Sequence, residues 1–80
     1  MKNRLKEYID AKCIKINKDK KKREKKYRAA HELKILAVHF GVHYATAYGW
    51  YSNKFNPQQK SDVFIELPKY YKTKWQSFYY

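Results

Sequence analysis

The chain has 80 residues and carries 19 Lys and Arg against 7 Asp and Glu, a formal net charge of +12. A single domain of this size buries only about 60% of the surface its unfolded chain exposes, and its own charge works against compaction, so a polyanionic partner is expected, nucleic acid ahead of an anionic membrane surface. Two glycines leave little scope for cofactor-binding loops, the scattered acids complete no Ser-His-Asp or Cys-His set, and no apolar run approaches the roughly 20 residues of a membrane span, which excludes most enzyme, cofactor-binding and membrane-spanning classes.

Cys13 is the single cysteine and fits a reducing cytoplasm, and the N-terminus lacks the apolar core of a signal peptide. The abundance of Lys, Asn, Tyr and Ile fits a low-GC bacterium or its phage. A cytoplasmic, nucleoid-associated protein is therefore expected, without membrane, small-molecule, metal or cofactor partners.

In chain order, residues 1–17 form the first unit. Leu5, Tyr8, Ile9, Cys13 and Ile16 fall on one helical stripe and predict an amphipathic packing helix over Asn3 to Ile16, ending near Cys13 or shortly after. Residues 18–26, KDKKKREKK, hold seven basic residues and two acids without an apolar one. They read either as a solvated linker or helix start, capped by Asn17 or Asp19, or as an arm whose Lys20, Lys21 and Lys22 contact phosphates.

Residues 27–52 carry the main signal. Tyr27, Ala30, Leu33, Ala37 and Phe40 recur every three or four positions, so a helix ends at Gly41 and begins before Leu33, as early as Asp19. Counting Leu33 as position 1, Ala37 stands at 5, Gly41 at 9, Val42 at 10, Ala47 at 15 and Trp50 at 18, the spacing of a DNA-binding helix-turn-helix. Ala37 permits a close helix crossing, Gly41 supplies the positive φ of a tight reversal, and Val42, Ala47 and Trp50 face a shared core.

The residues left outside the second helix, around 43–51, are His43, Tyr44, Ala45, Tyr48 and Gly49, the candidates for base contact. Tyr48 reads alternatively as a solvent-facing or dimer-packing aromatic. Lys34, Thr46, Ser52, Asn53 and Lys54 are the expected backbone contacts, each otherwise an ordinary surface residue. This helix lacks Arg, Asn and Gln, so phosphate contact is expected to supply much of the affinity. His39 and His43 are four apart, but Gly41 separates them and no Cys or acid completes a metal set with them or with His31.

Residues 56–80 open with Asn56 as an N-cap, Pro57 at the first helical position and Gln59 three after the cap. They predict a helix from Pro57 to about Leu67, burying Val63, Phe64 and Leu67, or else a strand over Val63 to Leu67, with Pro68 breaking either. The tail Lys69 to Tyr80 fits a helix through Tyr71, Trp75 and Phe78, while its alternation favours a strand or extended arm. The expected fold is mainly α: four to five helices around a helix-turn-helix, with a short C-terminal strand or hairpin as an option.

From Leu33 onward, LAVHFGV, ATAYGW, the short loop to Asn56-Pro57 and QKSDVFIEL together resemble the Cro repressors of lambdoid phages, over roughly 45 residues. The 32 residues before them depart from the family's very short lead-in. The resemblance implies a transcriptional regulator, a homodimer binding double-stranded DNA at a two-fold operator with recognition helices about 34 Å apart. Two other readings stay open: a DNA-packaging or recombination accessory such as a small terminase subunit or excisionase-like factor, and a basic module binding RNA or an acidic protein through its tyrosines.

Overall fold

The computed structural model describes residues 1–21 and 24–80, which form five helices: α1 (Leu5–Asn17), α2 (Ala29–Phe40), α3 (Tyr44–Tyr51), α4 (Val63–Tyr70) and α5 (Trp75–Phe78). The domain is mainly helical. Among the described residues the only β pairing is a bridge between Asn3 and Tyr79, and no helix is long and apolar enough to cross a membrane. α2 packs most extensively on α3, α1 lies against both, and α4 packs on α5.

The first stripe forms as its spacing predicts, with Leu5 and Ile9 fully buried and Tyr8 and Cys13 packed at the core's edge. Ile16 departs from the expectation: it is exposed, as is Ile14, because the last turn of α1 runs beyond the core that covers the first three. The start at Asp19 is also overturned, since α2 begins at Ala29. The Asn17 side chain accepts from the Tyr27 backbone N–H at 2.7 Å and donates to the Tyr27 carbonyl at 2.8 Å. It thereby occupies both backbone groups that a helix through Tyr27 would need. Ala30 consequently sits on the exposed side of the first turn.

Three helices end in one motif. After α2, Gly41 adopts φ 65°, its N–H donates to the Val38 carbonyl and the Val42 N–H reaches the Ala37 carbonyl. After α3, Asn53 takes φ 59°, with Asn53 N–H to the Trp50 carbonyl and Lys54 N–H to the Gly49 carbonyl. After α4, Lys72 takes φ 58°, with Lys72 N–H to the Lys69 carbonyl and Thr73 N–H to the Pro68 carbonyl. Each is a Schellman termination, whose left-handed residue lets two otherwise orphaned carbonyls be satisfied.

The C-terminal third corrects three expectations. Residues 57–62 form turns rather than a helix, and α4 starts only at Val63, where the Ser61 hydroxyl accepts the Val63 N–H at 3.2 Å. Pro68 lies inside α4 and does not break it. A proline there removes the donor that would have reached the Phe64 carbonyl, and the Tyr79 hydroxyl donates to that carbonyl instead at 2.9 Å. The Tyr79 ring stacks on Phe64 at 4.1 Å, and burial pushes its hydroxyl pKa up, keeping it a donor. The tail is a single helical turn, α5, because Phe78 must enter the core. Lys74 before α5 and Tyr79 after it are extended, and Tyr80 exchanges two backbone hydrogen bonds with Lys2.

Glu32 is fully buried in the first turn of α2. Its carboxylate accepts from Lys12 Nζ at 2.9 Å, the Tyr27 hydroxyl at 2.5 Å and the Tyr71 hydroxyl at 2.7 Å. Burial alone would raise its pKa; the bonds from Tyr27, Lys12 and Tyr71 outweigh burial and hold the carboxyl below its ordinary value of 4.5. A carboxyl depressed on folding contributes stability that is complete above its unfolded pKa and is lost as pH falls through the folded value. Glu32→Gln is therefore expected to cost about 2–3 kcal/mol in urea unfolding at pH 7. The gap between the two proteins should narrow as pH drops below 4.5, and a gap independent of pH would contradict this account.

Candidate nucleic-acid interface

α3 is an eight-residue helix entered through Gly41, Val42 and His43 and anchored by Ala47, fully buried, and Trp50, 3% exposed. With its inner face fixed, Tyr44, Ala45 and Tyr48 are left on the outside together with His43 at the N-cap, and all four are exposed. No side chain caps the N-terminus of α3; the Thr46 N–H donates to the His43 carbonyl at 3.0 Å, which leaves the Tyr44 and Ala45 N–H groups as the open donors of its first turn. The Tyr44 and Tyr48 rings stack at 6.4 Å, and Tyr48 and Tyr51 follow at 6.2 Å, giving a ladder of three tyrosines along the helix.

Tyr51 was not among the expected site residues. Its ring lies 5.0 Å from the Lys6 ammonium, and its hydroxyl donates to Asp10 at 2.9 Å, which joins the ladder to α1. Burial, helped by the bond to Asp10, pushes its pKa up. The i, i+4, i+7 spacing of Tyr44, Tyr48 and Tyr51 was visible in the sequence as a signal for this row.

Gly49 does not belong to the outer face. It is buried, and a Cβ there would run into the Phe55 ring. The absent side chain admits Phe55 rather than a base, because the Schellman turn at Asn53 folds the following residues back over α3. Asn53 is likewise committed elsewhere: its amide accepts the Asn3 N–H at 2.7 Å and donates to the Asn3 carbonyl at 3.1 Å. Asn3, which unlike the exposed Asn53 is fully buried, donates to the Trp50 carbonyl and to Asn56 and accepts the Leu5 N–H. This asparagine cluster fastens the N-terminal segment to the exit of α3, so the Asn53 amide acts as a clamp within the fold while the residue stays exposed.

The other expected backbone contacts are dispersed. Thr46 is half-buried and lines a cleft of about 400 Å³ with Trp50, Phe55 and Pro57, on the side of α3 away from the tyrosines. Ser52 donates from its hydroxyl to the Gly49 carbonyl at 3.3 Å, a local bond that leaves the residue exposed. Lys54 is exposed beyond α3, and Lys34 is exposed on α2 beside Ile35 and Val38. Lys20 donates to the Lys25 carbonyl at 2.9 Å and Lys21 is exposed; both lie in the loop that the Asn17 clasp ties to the start of α2. Lys22 lies outside the described residues. His39 turns away from His43, its ring against Phe40 at 4.8 Å and Tyr70 at 5.1 Å.

Asn53→Ala is expected to lower stability by about 2 kcal/mol, since it strains a left-handed residue and strips the Asn3 backbone of its partners. Under conditions where the variant is folded, its nucleic-acid affinity should equal that of the parent. A folded variant with weakened binding would return Asn53 to the contact surface. Compared with known proteins, the chain matches no family model, and neither a curated protein nor a solved structure proved similar to it.

Proposed function

We propose that the protein is a transcriptional regulator that binds double-stranded DNA, a Cro-like repressor acting as a homodimer, with α3 in the major groove. The reading is carried by the bend at Gly41, which leaves Tyr44, Ala45 and Tyr48 facing outward from a short helix whose opposite side is locked into the core. An uncapped helix start suits a phosphate oxygen, the tyrosines offer hydroxyls to phosphate or base edges, and Ala45 can meet a thymine methyl. Charge supports the same reading. Among the described residues, four acids are engaged by cations in Arg4–Glu7, Lys6–Asp10, Lys12–Glu32 and Lys69–Glu66, and the chain's large excess of Lys and Arg is left for a polyanion. Exposed Ile35 and Val38 on α2, and Ile65 and Trp75 on α4 and α5, offer apolar surface to a second copy.

A second reading has the exposed, stacked Tyr44–Tyr48 pair in its favour: rings of this kind stack on unpaired bases. Selection of bound sequences from random duplex DNA separates the two. The proposal expects a two-fold symmetric consensus, a preference altered by substituting Tyr44 and Ala45, and duplex outcompeting single-stranded RNA. Neutralising Lys20 to Lys22 should weaken all duplexes alike and flatten the salt dependence by about 0.9 for each phosphate no longer neutralised. Equal binding of every duplex, before and after the α3 substitutions, would remove sequence reading by α3.

A further inference from the structure

A cleft of about 380 Å³ opens where the second half of α1 meets the end of α4, lined by Ala11, Lys12, Lys15, Tyr70, Tyr71 and Lys72. No acidic side chain lines it. Glu32, which binds Lys12 and Tyr71, is sealed from solvent beneath them. Lys12 is held between that carboxylate and the Tyr70 ring, 5.4 Å from its centroid. Lys15 and Lys72 are exposed and carry no ion pair among the described residues.

Lys72 is the residue that marks this cleft. It occupies the left-handed position of the Schellman turn after α4, with φ 58°. The corresponding positions hold Gly41 and Asn53, the two residue types that tolerate this backbone. A lysine there is strained, and glycine would end the helix with less strain. The strained position places a third lysine on the lining of a cleft that also has Lys15 and Lys12, the latter with its ammonium on Glu32.

We propose that the Lys12–Lys15–Lys72 cleft is a second phosphate-binding site, taking the sugar-phosphate backbone of the same nucleic acid at a place separate from α3. The inference rests on the DNA-binding reading. α1 connects the two places: Lys6 and Asp10 face Tyr51 of α3, while Lys12 and Lys15 face the cleft on another side of the helix. Contacts made here are to phosphate and add affinity without sequence preference.

The test uses the full chain and a duplex of about 25 base pairs, with affinity measured across a salt series. Lys72→Gly should raise the melting temperature by a few degrees, because it relieves the left-handed strain, and should lower the salt slope by about 0.9. Lys15→Gln with Lys72→Gly should lower the slope by about 1.8, with the selected base preference unchanged. Lys60→Gln, an exposed lysine elsewhere, controls for net charge. A slope for the double variant equal to that control overturns the proposal. If Tyr44→Ala with Tyr48→Ala abolishes binding in that case, the α3 reading stands without it. If instead the slope falls as expected while the tyrosine variant binds normally, the cleft stands and the α3 reading fails. A chain that binds no duplex at low salt overturns both.

Discussion

One buried carboxylate sets the relation between the parts of this molecule. Glu32 lies in the first turn of α2, where the helix dipole favours a negative charge, and receives a hydrogen bond from each of three separate stretches. Lys12 brings α1, Tyr27 brings the segment entering α2, and Tyr71 brings the end of α4. Burial, reinforced by these bonds, raises the pKa of both tyrosine hydroxyls and keeps them as donors. Taking a carboxylate out of water is costly, and the cost is offset only when all three donors are in place. The interaction therefore ties the orientation of α2, which carries α3, to three other stretches of the chain.

A second constraint comes from how the helices end. With two glycines in the chain, the three left-handed terminations fall on Gly41, Asn53 and Lys72. The first reverses the chain into α3. The second sends Phe55 back over Gly49 and hands the Asn53 side chain to Asn3. The third turns Lys72 to the cleft beside α1. Asn17 and Asn53 use the same device at two places, an amide side chain that pairs with the backbone N–H and carbonyl of a remote residue as a strand would. Small domains need such fastenings, because their apolar core alone leaves little stability in hand.

These constraints connect to function through what they leave outside. The core takes Ala47 and Trp50 from α3 and leaves Tyr44, Ala45 and Tyr48 on the surface, while ion pairs among the described residues absorb four of the acids. One face of α1 touches α3 through Lys6 and Asp10 and another lines the proposed second phosphate site, so α1 links the two proposed contacts. The lead-in of 32 residues before Leu33 thus supplies the packing helix and part of the proposed binding surface.

Local pattern in the sequence was enough for the features whose causes are local. The stripe of Leu5 and Ile9, the break at Gly41 and the inward set of Ala37, Ala47 and Trp50 follow from helical periodicity and from the one residue type that reverses a helix without strain. The small, mainly helical class follows from the same signals. Tertiary structure alone decided the rest, because each outcome depends on a partner distant in the chain. Pro68 survives inside α4 because Tyr79 donates to the carbonyl it orphans; Gly49 is covered because Phe55 folds back; Asn53 is consumed by Asn3, 50 residues away. α2 starts at Ala29 because Asn17 claims the Tyr27 backbone, and Glu32 becomes the centre of the fold because Tyr71 arrives from 39 residues downstream. Periodicity reports which face of an element is apolar; which polar group will meet its partner is fixed only when the chain closes on itself.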